Sequence, residues 1–196
     1  LLVITDEIYA ELTYGGKDHV SIASLPGMKE RCIYVNGFSK AFAMTGWRLG
    51  YAMAPQAIMQ QMVKIHQYCI MSSPTISQYA AIYAMTSGNA ETQMMRASYD
   101  RRRKYLMRRF SEMGIPCFEP KGAFYMFPNI QEFGMTSEEF VLELLKRKQV
   151  AAVPGSAFGA CGEGFLRISY AYSLDDLRLA FDRIEAFVQE LRAERG

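Results

Sequence analysis

The sequence predicts an α/β fold followed by a smaller α+β part, and three observations carry that expectation. Short apolar runs rich in β-forming residues fall at 1–5, 32–36 and 49–54, the pattern of buried strands. After them, apolar residues recur at three-to-four spacing, as at Ile58, Met62, Ile65 and Cys69, which is one stripe of a helix. Further on, shorter β-like runs alternate with helix-capping patterns, so the expected division is 1–95 for the larger part and 96–196 for the smaller.

Each element follows from local chemistry. Only residues 37–48 separate the second apolar run from the third, too few for a comfortable helical crossover, so the third strand is expected antiparallel to the second. Pro55 opens a helix running to about residue 70, and Ser72-Ser73-Pro74 punctuates it. A second helix spans roughly 77–86, and Gly88-Asn89 ends it before a long helix over about 91–113 that bridges the two parts. Gly114-Ile115-Pro116 stops that helix, and residues 123–127 read as a strand. Thr136-Ser137-Glu138-Glu139 has the form of a capping box opening a helix to Lys148. Residues 165–170 form another strand, and Ser173 to Asp176 gives a second capping pattern. Leu174, Leu177, Phe181, Ile184, Val188 and Leu191 then keep helical spacing towards the end. There is no internal repeat and no low-complexity linker.

Composition narrows the function classes. A chain of 196 residues, half of them apolar, can bury a real core and is not expected to be disordered. A net charge of +2 points to no polyanionic partner, and the basic residues Arg101, Arg102, Arg103, Lys104, Arg108 and Arg109 read as a solvated helix side rather than a nucleic-acid face. No membrane association is expected, because no run is long and apolar enough to span a bilayer. Cys32, Cys69, Cys117 and Cys161 are widely spaced without a CxxC pair, which fits a reduced, cytoplasmic protein better than a disulfide scaffold or zinc site. With His19 and His66 the only histidines, a histidine metal cluster is excluded and no metal is expected. The glycines at 155, 159, 162 and 164 lack a Gly-Lys-Ser/Thr ending, so they do not make a nucleotide loop. Thirteen methionines read as core filling.

The chemistry concentrates around Lys40. It follows the strand-like run Ile33-Tyr34-Val35-Asn36 and precedes Arg48 by eight residues, while Leu1-Leu2-Val3-Ile4 leads into Thr5-Asp6-Glu7-Ile8-Tyr9. This set meets the needs of pyridoxal phosphate. A lysine condenses with the cofactor aldehyde and later carries a proton. A buried carboxylate keeps the pyridine nitrogen protonated, and Asp6 is the candidate. The Tyr9 phenol can donate to the cofactor's phenolate oxygen, and the Arg48 fork suits the phosphate. Arg167 is the candidate for a substrate carboxylate, again as a bidentate pair. Arg48 and Arg167 both sit among apolar residues in the sequence, where an unpaired guanidinium is costly.

The stretch Asn36-Gly37-Phe38-Ser39-Lys40-Ala41-Phe42-Ala43-Met44-Thr45-Gly46-Trp47-Arg48-Leu49-Gly50-Tyr51 resembles the lysine segment of the class I/II, fold type I aminotransferases, in particular their aspartate and aromatic branch. Asp6-x-x-Tyr9, Gly122-Ala123-Phe124-Tyr125, Val153-Pro154-Gly155-Ser156-Ala157-Phe158-Gly159 and Arg167-Ile168-Ser169-Tyr170 stand in the family's order. The resemblance implies Lys40 as catalytic residue, with Asp6, Tyr9, Ser39 and Arg48 as further cofactor contacts. For Ser39, Gly37 occupies the place where many relatives carry the phosphate-binding serine. Arg167 and Tyr125 are implied on the substrate side, Tyr125 either facing substrate or simply packing.

Such enzymes are about twice this length, so the resemblance implies a fragment corresponding to a C-terminal half. It comprises the end of a cofactor-binding large domain with a mainly parallel sheet (1–95) and a small C-terminal domain (96–196). Leu1 is not an initiator methionine, so a natural start there is not expected. The implied reaction moves an amino group between an L-amino acid and a 2-oxo acid by ping-pong kinetics in a homodimer, and the fragment alone is expected to be inactive. No arginine occurs between Arg48 and Arg96, so aspartate, aromatic and alanine-type substrates all remain open. Competing readings are a carbon–sulfur β-lyase on the same fold and an aminotransferase-like effector domain of a transcriptional regulator.

Overall fold

The β-forming runs become a small mixed sheet. In the computed structural model, which describes residues 1–195, β1 is Val3–Asp6, β2 is Cys32–Gly37 and β3 is Gly50–Met53. The order is β1-β2-β3. β1 and β2 are parallel, with Asp6 opposite Val35. β3 is antiparallel to β2, with Gly37 opposite Gly50, as the short connection demanded. Of the two strand pairs in this sheet, one is parallel and one antiparallel.

Helices follow at nearly the expected places. A single turn, α1 (Phe38–Ala41), leaves β2 directly, and α2 (Gln56–Cys69), α3 (Thr75–Ser87) and α4 (Asn89–Glu112) come after β3. Pro55 and Pro74 stand at the N-caps of α2 and α3, where a missing N–H costs nothing. Gly114, at a φ of 69°, turns the chain away after α4. The apolar stripe expected of α2 has the right period, yet no residue of α2 is buried and Ile65 is exposed. On that stripe Ile58 and Met62 are half-buried, while Ile65 and Cys69 are exposed.

The chain divides into two compact units, Leu1–Ala97 and Ser98–Gly196, and the division falls within α4. Unit 1 buries a small cluster of Phe38, Met44, Ala81 and Ala84, with Phe42, Leu49 and Ala80 packed against it. Thr92 is buried and its hydroxyl donates to the carbonyls of Ala41 and Gly88, both at 3.0 Å, which ties the start of α4 to α1.

Unit 2 is built around aromatic residues. Its sheet has the order β4-β6-β5, from β4 (Tyr125–Met126), β5 (Val153–Pro154) and β6 (Leu166–Ser169), all antiparallel. β4 is shorter than the expected strand over 123–127 because Ala123 adopts a left-handed φ of 58°, which breaks the ladder before it. α5 (Ser137–Lys148) opens with the full capping box, Thr136 and Glu139 each bonding the other's backbone N–H. α6 (Leu174–Ala193) opens with the Ser173 side chain accepting from the Asp176 N–H. Leu177, Phe181, Ile184, Val188 and Leu191 are buried as the spacing requires, whereas Leu174 at the first turn is exposed. Phe110 meets Phe181 edge-on at 5.0 Å between centroids, and Phe140 meets Phe187 at 5.2 Å.

The basic side of α4 is not uniformly solvated. Arg103 is buried and bonds Asp100 and Glu119, and Arg109 reaches Asp182 and Glu185. The local Asp100 and the more distant Glu119 match Arg103, and Asp182 and Glu185 match the half-buried Arg109, because a guanidinium with its donors matched can leave water.

Candidate active site

In unit 1 the parallel pairing of β1 and β2 sets Asp6 and Lys40 beside neighbouring strand ends. Asp6 is the last residue of β1, and Lys40 lies one turn beyond β2 on α1. Gly37 makes that exit possible, since a Cβ there would press on Leu49 O at 3.1 Å and Gly50 Cα at 3.2 Å, both backbone atoms. Phe38 then anchors the turn. Its ring is buried in the unit 1 cluster, its N–H donates to Leu49 O at 3.2 Å, and its carbonyl accepts from Phe42 and Met44. Lys40, half-buried, is carried on this anchored turn, and its Nζ lies 5.9 Å from the centroid of the Tyr9 ring.

Thr45 links Lys40's turn to Arg48. Its hydroxyl donates to the Ser39 carbonyl at 3.1 Å, and its own carbonyl accepts from Arg48 Nη1 at 2.8 Å. Arg48 follows the 3-10 turn Thr45–Trp47 at a left-handed φ of 51°, an uncommon state for a residue with a Cβ. Ser77, buried on α3, braces the turn by donating to the Trp47 carbonyl at 2.7 Å. Ser39 is half-buried beside Lys40.

Two expectations about these residues need correction. Arg48 is exposed rather than enclosed by apolar groups, and among the described residues it forms no ion pair, its Nη1 donating to the Thr45 carbonyl. Asp6 is exposed too, its Oδ1 accepting from the Ile8 N–H at 3.1 Å. Alternation along β1 puts Asp6 on the same face as Ile4, which is 73% exposed. The buried carboxylate is instead its neighbour Glu7, which sequence reasoning missed. Burial opposes ionisation of Glu7, but hydrogen bonds from Ser21, His19 and Thr5, with the charge of His19, hold its carboxyl below the ordinary glutamate value. The sequence carried no signal for this, because His19 and Ser21 lie outside any local periodicity.

In unit 2, β6 presents Arg167, opposite Val153 in register, and β4 presents Tyr125, opposite Ser169. The half-buried Arg167 guanidinium sits 4.7 Å from the Tyr125 ring centroid and 4.8 Å from that of Phe158, two cation–π contacts that hold it in place. Tyr125 lies against Arg167, and Phe158, which the sequence offered only as part of its segment, is a second aromatic contact of that guanidinium. Arg167 also lines a cavity of about 660 Å³ with Ser169, Asp176 and Arg183. Among the described residues no cluster of side chains is arranged to hold a metal ion, and no helix is long and apolar enough to cross a membrane.

The donor set of unit 1 fits pyridoxal phosphate: an amine against a phenol, a carboxylate at the adjoining strand end, and an exposed guanidinium tied to the same turn.

Comparison with known proteins identifies the family. Residues 1–184 match the family model for aminotransferase class I and II, and the chain belongs to this family. It is 50% identical over 192 residues to the aspartate aminotransferase of Pyrococcus abyssi, covering 97% of this chain and 49% of that protein. The aromatic-amino-acid aminotransferase 2 of Thermococcus litoralis is 46% identical over 192 residues, with 97% and 49% covered. The crystal structure of the aromatic aminotransferase from Pyrococcus horikoshii superposes with a TM-score of 0.95 at 49% identity, over 98% of this chain and 52% of that one. The chain thus spans about half the length of the curated relatives it matches.

Proposed function

We propose that these residues are the C-terminal half of a pyridoxal-phosphate-dependent aminotransferase that moves an amino group between an L-amino acid and a 2-oxo acid. Unit 1 is then the end of the cofactor-binding large domain and unit 2 belongs to the small domain. The intact protein is a cytoplasmic homodimer, as the family resemblance implies. The observation that carries the reading is the contact of Lys40 Nζ with the Tyr9 ring, beside the strand end that bears Asp6.

When bound, the cofactor supplies an aldehyde carbon and an electron-accepting ring. Asp6 would hold the ring nitrogen's proton, and the Tyr9 hydroxyl would donate to the ring oxygen. Arg48 pairs with the phosphate, with the Ser39 hydroxyl as a further donor. Lys40 Nζ would be the group that takes the proton from the α-carbon of the donor amino acid in one half-reaction and delivers a proton to the α-carbon of the second substrate in the other. Arg167, held in place by Tyr125 and Phe158, holds the α-carboxylate so that the Cα–H bond is oriented for removal.

The test is product analysis on the full-length protein with an amino acid and a 2-oxo acid. A new 2-oxo acid formed without ammonia, and lost in Lys40→Ala, is the expected result. Release of ammonia would replace this reading with the β-lyase one.

A further inference from the structure

Glu7 is a carboxylate where the pattern of an apolar strand end calls for none, and its side chain is only 3% exposed. Enclosing a carboxylate is costly unless its oxygens are matched by donors. Here they are: Oε1 accepts from Ser21 Oγ at 2.7 Å and Thr5 Oγ1 at 3.2 Å, and Oε2 meets His19 Nε2 at 2.7 Å. Its backbone is held as well, the N–H donating to Val35 O and the carbonyl accepting from Ala10, both at 2.9 Å. His19 and Ser21 lie 12 and 14 residues further along, so this one side chain closes the loop that leaves β1. Asp6 directly precedes it and Tyr9 is two residues beyond. Any shift of Glu7 moves both.

We propose that Glu7 is a positioning residue for the cofactor, fixing Asp6 and Tyr9 by tying the outgoing loop, through His19 and Ser21, back to the end of β1. The inference rests on the cofactor reading above. A side chain that acts at one remove by holding the contacting groups in place acts through geometry, and a misplacement near 1 Å can cost on the order of 100-fold in rate.

The experiment titrates the full-length protein with pyridoxal phosphate, measuring its dissociation constant and the pH midpoint of the bound cofactor's visible absorption band. Glu7→Ala is expected to weaken binding by about tenfold or more and to move the midpoint by about half a pH unit or more. Glu7→Gln, whose oxygen still accepts from Ser21 and Thr5 and whose NH2 can donate to His19 Nε2 in its other tautomer, is expected to stay within about threefold of the parent. A folded Glu7→Ala protein with unchanged constant and midpoint would overturn the proposal. If Glu7→Ala does not fold, Ser21→Ala takes its place, and an unmoved midpoint there overturns the proposal equally. Asp6→Asn separates the two layers of the argument. A band moved by Asp6→Asn but not by the Glu7 variants removes only the role of Glu7, whereas a band unmoved by Asp6→Asn overturns the cofactor reading and this inference with it.

Discussion

The two units treat their apolar residues differently. In unit 2, Phe110, Phe133, Phe140, Phe181 and Phe187 are all buried within it. In unit 1, α2 buries nothing and α3 buries only Ser77, Ala81 and Ala84, while Ile76, Tyr79, Ile82, Tyr83 and Met85 stand exposed. Unit 2 carries its own core, and unit 1 presents apolar faces that its described elements do not cover. An exposed apolar surface of this extent is unusual for a self-contained domain. A helical stripe in a sequence thus reports that a face is to be covered, without reporting by what.

The largest expected effect contrasts the two units directly. Phe181→Ala should cost about 3–5 kcal/mol by leaving a cavity against Phe110, whereas Tyr83→Ala, on an exposed face, should stay within about 0.5 kcal/mol. Urea unfolding of the chain measures both, and an equal cost at the two sites would break the comparison.

A smaller effect is expected at the buried guanidinium of unit 2. Arg103→Ala should cost about 1–3 kcal/mol, towards the lower end because the partner carboxylates reach water. Hydrogen bonds from Lys121 and Arg103 hold the Glu119 carboxyl down at about 2, against an ordinary value of 4.5. Since the folded value is depressed, the stabilisation is fully present above pH 4.5 and is lost as pH falls through about 2. Acid titration of stability should therefore be flatter between those limits in Glu119→Gln than in the parent. A matching slope would remove Glu119 from the account.

The smallest effect sharpens what local sequence decides. Thr136→Ala removes the acceptor of the α5 capping box and should cost about 1 kcal/mol, measured by the same urea series.

What was legible in the sequence follows the range of the interactions. The α5 cap acts over three residues and was readable from Thr136 and Glu139 alone. The antiparallel β3 was readable because twelve residues cannot cross over, and the lysine segment because its order of residues is distinctive. The buried state of Arg103 was not readable, since it depends on Glu119, sixteen residues away. Nor was the difference between Asp6 and Glu7: two adjacent acids look alike in sequence, and only strand alternation and the distant His19 and Ser21 decide which one is enclosed. The shortening of β4 turned on a single left-handed residue, Ala123, whose side chain gives no warning of it.

The most direct test of the central claim is where the cofactor attaches. Full-length protein would be incubated with pyridoxal phosphate, fixed with borohydride, digested and mapped by mass spectrometry beside Lys40→Ala. One label per chain, confined to Lys40 and lost in the variant, is expected. Label scattered over other lysines such as Lys17, Lys29 and Lys64, or unchanged in Lys40→Ala, would contradict it.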